Sequence, residues 1–182
     1  MNTNGWTLDT AHSGIAFSVR HMVVAKVRGR FATWSGTVEL DEADLAGSRV
    51  AVEIDARSID TGNAQRDEHL RSADFLDVEQ FPSLRFQSRK IENVAADRLH
   101  VVGDLTLHGV TREVTLAVER GGQAKDPWGN QRAGFSASTS ILRSDFGLVW
   151  NQALETGGVL VADRIDIELD VQAVQSAARK SA

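Results

Sequence analysis

The chain has 182 residues, 42% of them hydrophobic, and its 20 Lys+Arg against 25 Asp+Glu give a net charge of −5. That is the length of one domain, expected to span 1–182. It is apolar enough to build a core, which excludes intrinsic disorder, and it lacks the basic block of a nucleic-acid binder. Cysteine is absent, which excludes a disulfide scaffold, a thiol nucleophile, an iron–sulfur cluster and any cysteine zinc site.

The opening residues, Met1 to Asp9, carry neither the basic n-region nor the apolar h-region of a secretion signal. The longest apolar runs, Met22-Val23-Val24-Ala25 and Val159-Leu160-Val161-Ala162, fall far short of the roughly 20 residues of a membrane span. The expectation is a water-soluble, cytoplasmic protein with no transmembrane segment.

From there the dominant signal is alternation of apolar and polar residues with a period of two. In chain order it appears at Ile15/Phe17/Val19, at Trp34/Val38/Leu40 around Gly36, at Val50–Asp55 and at Leu84/Phe86. It continues at Val101/Leu105/Leu107, Glu113–Glu119, Phe135/Ala137/Thr139/Ile141 and, most cleanly, Arg164–Gln172. Each reads as a strand with one wet and one buried face. Turn signals at Leu107-His108-Gly109-Val110, Gly121-Gly122 and Asp126-Pro127-Trp128-Gly129-Asn130 separate them. One segment breaks the pattern. Asp60–Ser72 is polar and rich in helix formers, and predicts a short helix docked by Phe75 and Leu76; a second helical turn is expected at Asn151–Glu155.

Eight or nine one-sided antiparallel strands must close or pair to hide their apolar faces and edges. With charges outside and apolar residues inside, an outer-membrane barrel is excluded. The fold class is all-β: an extended antiparallel, lipocalin-like barrel of about eight strands with a short helix near its mouth. A barrel of this size is either filled by its own side chains or holds one small ligand, and periodicity does not choose between these.

Residues that carry chemistry are few. The five histidines (12, 21, 69, 100 and 108) show no HxH or HExxH spacing, and Asp67-Glu68-His69 is a weak metal cue. His12 and His108 read as turn anchors and His69 as a helix-end cap. Asp9, His12 and Ser13 superficially resemble a hydrolase triad, but adjacent strand residues point to opposite faces and no GxSxG elbow exists. GxGxxG and P-loop patterns are absent. Arg66-Asp67 and Arg71-Asp74 read as ion pairs within the helical segment. No catalytic residue, metal or cofactor is expected. The aromatic inventory of seven Phe, four Trp and no Tyr suits either an apolar lining or an ordinary core.

Several segments together resemble the YceI-like polyisoprenoid-binding proteins. They are Trp6–Ser13 with Ile15–Met22, Val27-Arg28-Gly29-Arg30-Phe31, and Ser58–Asn63 with Arg66–Leu70, Asp74–Asp77 and Phe81-Pro82. Val102–Thr111 and Ile141–Leu148 complete the set, in order, from Trp6 to about Val174. The resemblance implies a lipocalin-like barrel whose lumen holds the chain of an amphiphile such as a polyprenyl quinone, polyprenyl phosphate or fatty amide, and thus a non-enzymatic binding or transport protein. On this reading the ligand is lined by Phe17, Val19, Met22, Phe31, Trp34, Phe75, Phe86, Phe135, Ala137, Phe146 and Trp150. Arg20, His21 or Arg143 would select the head group at the mouth. Many relatives carry a secretion leader; from the opening residues none is expected here. Two other readings stand beside it. One is a lipid- or quinone-modifying enzyme using a His/Asp/Arg cluster at the entrance. The other is a closed structural barrel, filled by Phe17, Trp34, Phe86 and Trp150, that works through its surface as a homodimer.

Overall fold

A computed structural model describes residues 5–41 and 43–175; the short polar tail expected after about Val174 lies outside them from residue 176 onward. The strands are β1 (Gly5–Leu8), β2 (Gly14–His21), β3 (Ala25–Phe31), β4 (Trp34–Glu39), β5 (Arg49–Asp55), β6 (Ile59–Asp60), β7 (Ser83–Glu92), β8 (Arg98–Leu107), β9 (Val110–Lys125), β10 (Gln131–Leu142) and β11 (Val161–Gln175). The single α-helix among the described residues is α1 (Ala64–Arg71). Three strand pairs are interrupted runs: β1 leads into β2, β3 into β4 and β5 into β6. The eleven strands therefore form eight antiparallel staves, each bonded to its neighbour in sequence. The ring closes where the first stave meets the last: Trp6, Thr7 and Leu8 pair with Gln175, Val174 and Ala173, and β2 continues the seam from Gly14–Asp170 to His21–Val161. This is the barrel and short helix expected from the alternation.

The interruptions have local causes. Asp9 ends β1 by capping a 3-10 turn, Thr10–His12, accepting the Ala11 N–H at 3.2 Å. Ser13 then stitches the kink to the last stave, donating to the Asp9 carbonyl at 2.6 Å and accepting from the Gln172 N–H at 2.9 Å. On the outside of the wall the Asp9 carboxylate receives Arg132 Nη1 at 2.6 Å, while Arg132 Nε reaches Asp126 at 3.1 Å in the β9–β10 turn.

Two glycines determine how the aromatic rings lie. A Cβ on Gly103 would come within 2.6 Å of the Phe86 ring and 2.5 Å of the Gln87 carbonyl oxygen. One on Gly29 would overlap the Phe17 ring and Thr61 Cγ2. Phe17 and Phe86 thus rest against bare backbone on the neighbouring stave, an approach only glycine permits.

The core comes in three clusters. One, around Trp6, Leu8, Leu40, Ala133 and Ala173, seals the end of the barrel carrying the β4–β5 connection. A second, Ile91, Leu99, Val101 and Val118, thickens the wall near that end. The third lies at the opposite end and includes Ile54, Ile59, Leu76, Leu84, Leu107, Ile141, Phe146 and Leu148. There the β5–β7 ladder stops at Asp55–Ser83, and α1 with the segment after it occupies the gap between β6 and β7. Phe75 and Leu76 are buried, as the docking expectation requires. No described helix is long and apolar enough to cross a membrane.

Several local expectations are corrected. Gly121-Gly122 is not a turn: both residues lie within β9, where Gly122 (φ 96°) pairs with Gly134 next to a register shift. Asn151–Glu155 is not helical. The Asn151 side chain accepts from Val161 N at 3.0 Å and donates to Val161 O at 2.7 Å, holding the backbone extended in the way such side chains compete with helix. The proposed ion pairs in the helical segment do not form. Arg66 donates to Thr61 Oγ1 and O, Asp67 accepts from Thr61 N and Oγ1, and Arg71 donates to the Arg57 and Ile59 carbonyls. Asp74 pairs with His69 instead, at 2.8 Å.

The Arg132 hydrogen bond, followed by that of His12, lowers the Asp9 carboxyl from 3.8 to about 2. A carboxyl depressed on folding contributes stability that is complete above its unfolded value and disappears as the pH falls through its folded value. Melting curves of wild type and Arg132→Met should therefore differ most above pH 4 and converge toward pH 2. A gap that stays constant from pH 6 to pH 2 would show that Arg132 acts through packing alone.

Candidate functional site

The inward faces of the staves do not fill the barrel. They leave a cavity of about 420 Å³, within the range of small-molecule sites. Its wall runs from Leu40, Leu45 and Ala173 near the sealed end to Arg66, His69 and Trp150 at the other. Phe17, Phe31, Trp34, Phe86 and Phe135 all point inward yet are only half-buried. In a filled core such rings would lose nearly all exposure; here each turns part of its surface to the lumen. The expectation of a lumen closed by Phe17, Trp34, Phe86 and Trp150 is therefore not met, because these rings line the space.

Polar groups on this wall are confined almost entirely to one end. His21 ends β2, Thr61 follows β6, Arg66 and His69 lie on α1, Thr139 lies near the end of β10 and Arg143 just after it. The exception, Ser48 near the sealed end, has its hydroxyl oxygen occupied by the Asp41 N–H at 2.9 Å. The lumen is thus a greasy sleeve with a polar rim.

The rim is held by hydrogen bonds within the chain. Arg66 Nε donates to Thr61 Oγ1 at 2.7 Å and Nη2 to Thr61 O at 2.9 Å. Arg143, only 5% exposed, donates to four carbonyls: Leu148 at 2.7 Å, Trp150 at 2.9 Å, Ala162 at 3.0 Å and Val161 at 3.4 Å. Burial pulls its pKa down, offset in part by the charge of Asp163. Neither guanidinium has a carboxylate ion pair among the described residues; their N–H groups are met by carbonyl and hydroxyl oxygens. Across the opening, the Trp150 ring meets the His69 imidazole edge-on at 4.7 Å and the Phe75 ring at 5.2 Å, joining α1 to the β10–β11 connection.

The wall has a second thin place. The β9–β10 ladder ends at Ala117–Ser138 although both strands continue. The cleft between them is bridged by the 3-10 turn Arg143–Phe146, where Arg112 Nε donates to the Asp145 carbonyl at 3.2 Å. Val114, Thr139 and Ile141 line both this cleft and the lumen.

Of the expected site residues, Phe17, Val19, His21, Phe31, Trp34, Phe75, Phe86, Phe135, Ala137 and Trp150 border the cavity. Three do not. Arg20 alternates with Val19 and His21 and so faces outward, exposed. Met22 stands at the exposed tip of the β2–β3 hairpin, and Phe146 is buried beneath the Arg143–Phe146 turn within the core cluster. Thr61, Arg66 and His69 also border the cavity; the family resemblance implies that the segment Arg66–Leu76 sits beside the entrance, but it singles out none of these side chains. Their signal was the polar stretch 60–72 interrupting the strand pattern, but only the docked helix shows which of its side chains turn to the lumen. His12 does meet Asp9, at 2.9 Å, but in a 3-10 turn and not a strand, and Ser13 is committed to backbone partners. No cluster of three or more His, Asp or Glu able to hold a metal occurs among the described residues.

Comparison with known proteins agrees with this architecture. A UPF0312 protein of Vibrio vulnificus (strain YJ016) is 43% identical over 149 residues, covering 81% of this chain and 79% of the relative. A UPF0312 protein of Vibrio cholerae (El Tor Inaba N16961) is 38% identical over 176 residues, covering 96% and 89%. Among solved structures, the Campylobacter jejuni YCEI protein superposes with a TM-score of 0.75 at 31% identity, over 94% of this chain and 98% of that one. BcnA of Burkholderia cenocepacia gives 0.80 at 24% identity, over 91% and 98%. A polyisoprenoid binding domain from Saccharophagus degradans gives 0.68 at 16% identity, over 94% and 98%, a likeness of fold. The family model of the YceI-like domain matches residues 6–173, and the chain belongs to that family.

Proposed function

We propose that this protein is a non-enzymatic carrier or sequestering protein for an isoprenoid or other long-chain amphiphile, with the tail in the lumen and the head group at the rim. The observation that carries this reading is the distribution of polarity: an apolar sleeve whose polar side chains gather at a single end. An amphiphile has the same one-ended polarity. The fold shared with a polyisoprenoid binding domain of Saccharophagus degradans supports the same class of guest.

The energetics are adequate. Each buried methylene contributes roughly 0.8 kcal/mol, so about 12 of them gain roughly 10 kcal/mol gross. Association costs of about 4–15 kcal/mol offset much of that, which leaves micromolar or tighter binding for long tails. Because apolar contact is non-directional, chain length governs affinity more than chain chemistry. The guanidinium groups of Arg66 and Arg143, which lack carboxylate ion pairs, favour a head group rich in acceptors, such as a phosphate, carboxylate or quinone carbonyl.

Mass spectrometry of organic extracts from the purified protein should detect a long apolar chain, and stripped protein should bind added polyprenyl ligands. Clean extracts together with no binding of added ligand would remove the carrier reading. Two lumen variants give a sharper test. Ala137→Trp places an indole in the sleeve, and Gly29→Ala forces the Phe17 ring off the wall into the lumen. Both should weaken binding of long chains by about tenfold or more, the equivalent of losing a few buried methylenes, while the barrel still melts cooperatively. Full affinity in a folded Ala137→Trp protein would place the ligand outside the lumen.

A further inference from the structure

Among the described residues, eight large apolar side chains are exposed, and six of them stand at the rim end: Met22, Val23, Val24, Leu142, Val149 and Val159. The opposite end has only Val94 and Trp128, on different turns. The rim group is most prominent at the β2–β3 hairpin tip, where Val23 is 71% and Val24 86% exposed. Val149, at 72%, projects from the β10–β11 connection. The two regions adjoin, since Met22 N donates to the Leu160 carbonyl at 2.9 Å. Burying none of these side chains leaves an apolar patch in water, a feature that marks an interaction surface.

The backbone of this tip is itself unusual. Met22 and Val23 adopt positive φ, 53° and 64°, a region that β-branched residues rarely occupy. A polar Asn or Asp would fit better, yet the sequence places apolar side chains there.

Charge surrounds the tip in a consistent way. On the outer face of the hairpin Arg20 lies opposite Lys26, Arg28 opposite Ser18 and Arg30 opposite Ala16. Lys26 makes a long contact with Asp166 at 3.9 Å and Arg30 pairs with Asp60 at 3.1 Å. Arg20 and Arg28 have no ion pair among the described residues. Of the nearby acidic groups, Asp163 accepts from Ser144 and Asp166 from Arg164 and Ser140, while Glu168, beside Ala16 on β11, is exposed. Glu155, on the turn beyond Val149, is exposed. In a chain of net charge −5, the hairpin is a local cationic stripe ending in an apolar point.

We propose that the rim end docks on a lipid bilayer bearing anionic head groups, with Val23, Val24 and Val149 entering the interface and Arg20, Lys26 and Arg28 facing the lipid anions. Apolar side chains flanked by cations are what such a surface selects. Docking by this end points the polar rim of the lumen at the membrane. The inference rests on the carrier reading and supplies its exchange step: an amphiphile could pass between bilayer and sleeve without its tail crossing open water.

The test is flotation of the full chain with vesicles of phosphatidylcholine alone and of phosphatidylcholine with phosphatidylglycerol. The protein should float with the anionic vesicles, do so poorly with the neutral ones, and detach in high salt. Val23→Asn/Val24→Ser should lower the bound fraction about tenfold by removing the apolar point, and Lys26→Gln/Arg28→Gln should remove its preference for anionic vesicles. All four positions are exposed or on the outer face, and melting curves verify that the variants fold. Absence of flotation by the wild type overturns the proposal, as do variants that float equally well or self-association through the tip in light scattering. Binding of a dispersed polyprenyl ligand, measured in parallel without vesicles, separates the two readings. Retained ligand binding without flotation rejects docking alone, whereas flotation without ligand binding rejects the carrier reading and leaves docking standing.

Discussion

Closure of the sheet is the constraint on which the rest of the molecule depends. The first stave meets the last along its whole length, Trp6 to Leu8 with Gln175 to Ala173 and then Gly14 to His21 with Asp170 to Val161, and this seam removes the edges that an open sheet would expose. Once closed, eight staves fix a circumference, and alternation along each sends every second side chain inward. Whether the lumen is full or hollow is then decided by the volumes of those side chains. Here glycines on β3 and β8 receive the rings of Phe17 and Phe86 against the wall, and the sleeve stays open along its axis.

The two ends of the barrel are built for different tasks. At one end Trp6, Leu8 and Leu40 pack into a plug, and on the wall outside Arg132 ties Asp9 to the β9–β10 turn. At the other the regular ladder is abandoned. The β5–β7 pairing stops, the β9–β10 pairing stops, and a helix and a long connection fill the openings. Backbone groups freed from the sheet need other partners, and the side chains of Arg143, Arg71, Asn151, Arg66 and Asp67 supply them. This rim is where polarity, aromatic contacts and exposed apolar residues meet. For the guest proposed above, continuous pairing at this end would be an obstacle to entry.

Most of the fold was legible in the sequence because strand alternation is a local signal. Ile165, Ile167, Leu169 and Val171 announce an inward face whatever their partners are, and the polar run after Asp60 announces a break. The failures share a physical origin. Gly121-Gly122 has the composition of a turn, but partner β10 uses it to absorb a register shift. Asn151–Glu155 has residues compatible with a helix, but Asn151 finds Val161 across ten residues. Arg66 and Asp67 are adjacent opposite charges, yet each finds a better partner in Thr61. In every case a contact distant in sequence, or a competing hydrogen bond, outweighed a local preference.

The sequence by itself determined that eight or nine one-sided strands follow one another, the absence of cysteine chemistry, the outward placement of charge and the break that becomes α1. These follow from periodicity and composition, which act within a few residues. Only the tertiary structure decided that the lumen is hollow, that Arg66 and His69 belong to its rim while Arg20, Met22 and Phe146 do not, and that the apolar tip of the β2–β3 hairpin shares an end with the opening. Each of those depends on which distant staves become neighbours and on how far apart closure holds them, quantities that a one-dimensional pattern does not carry.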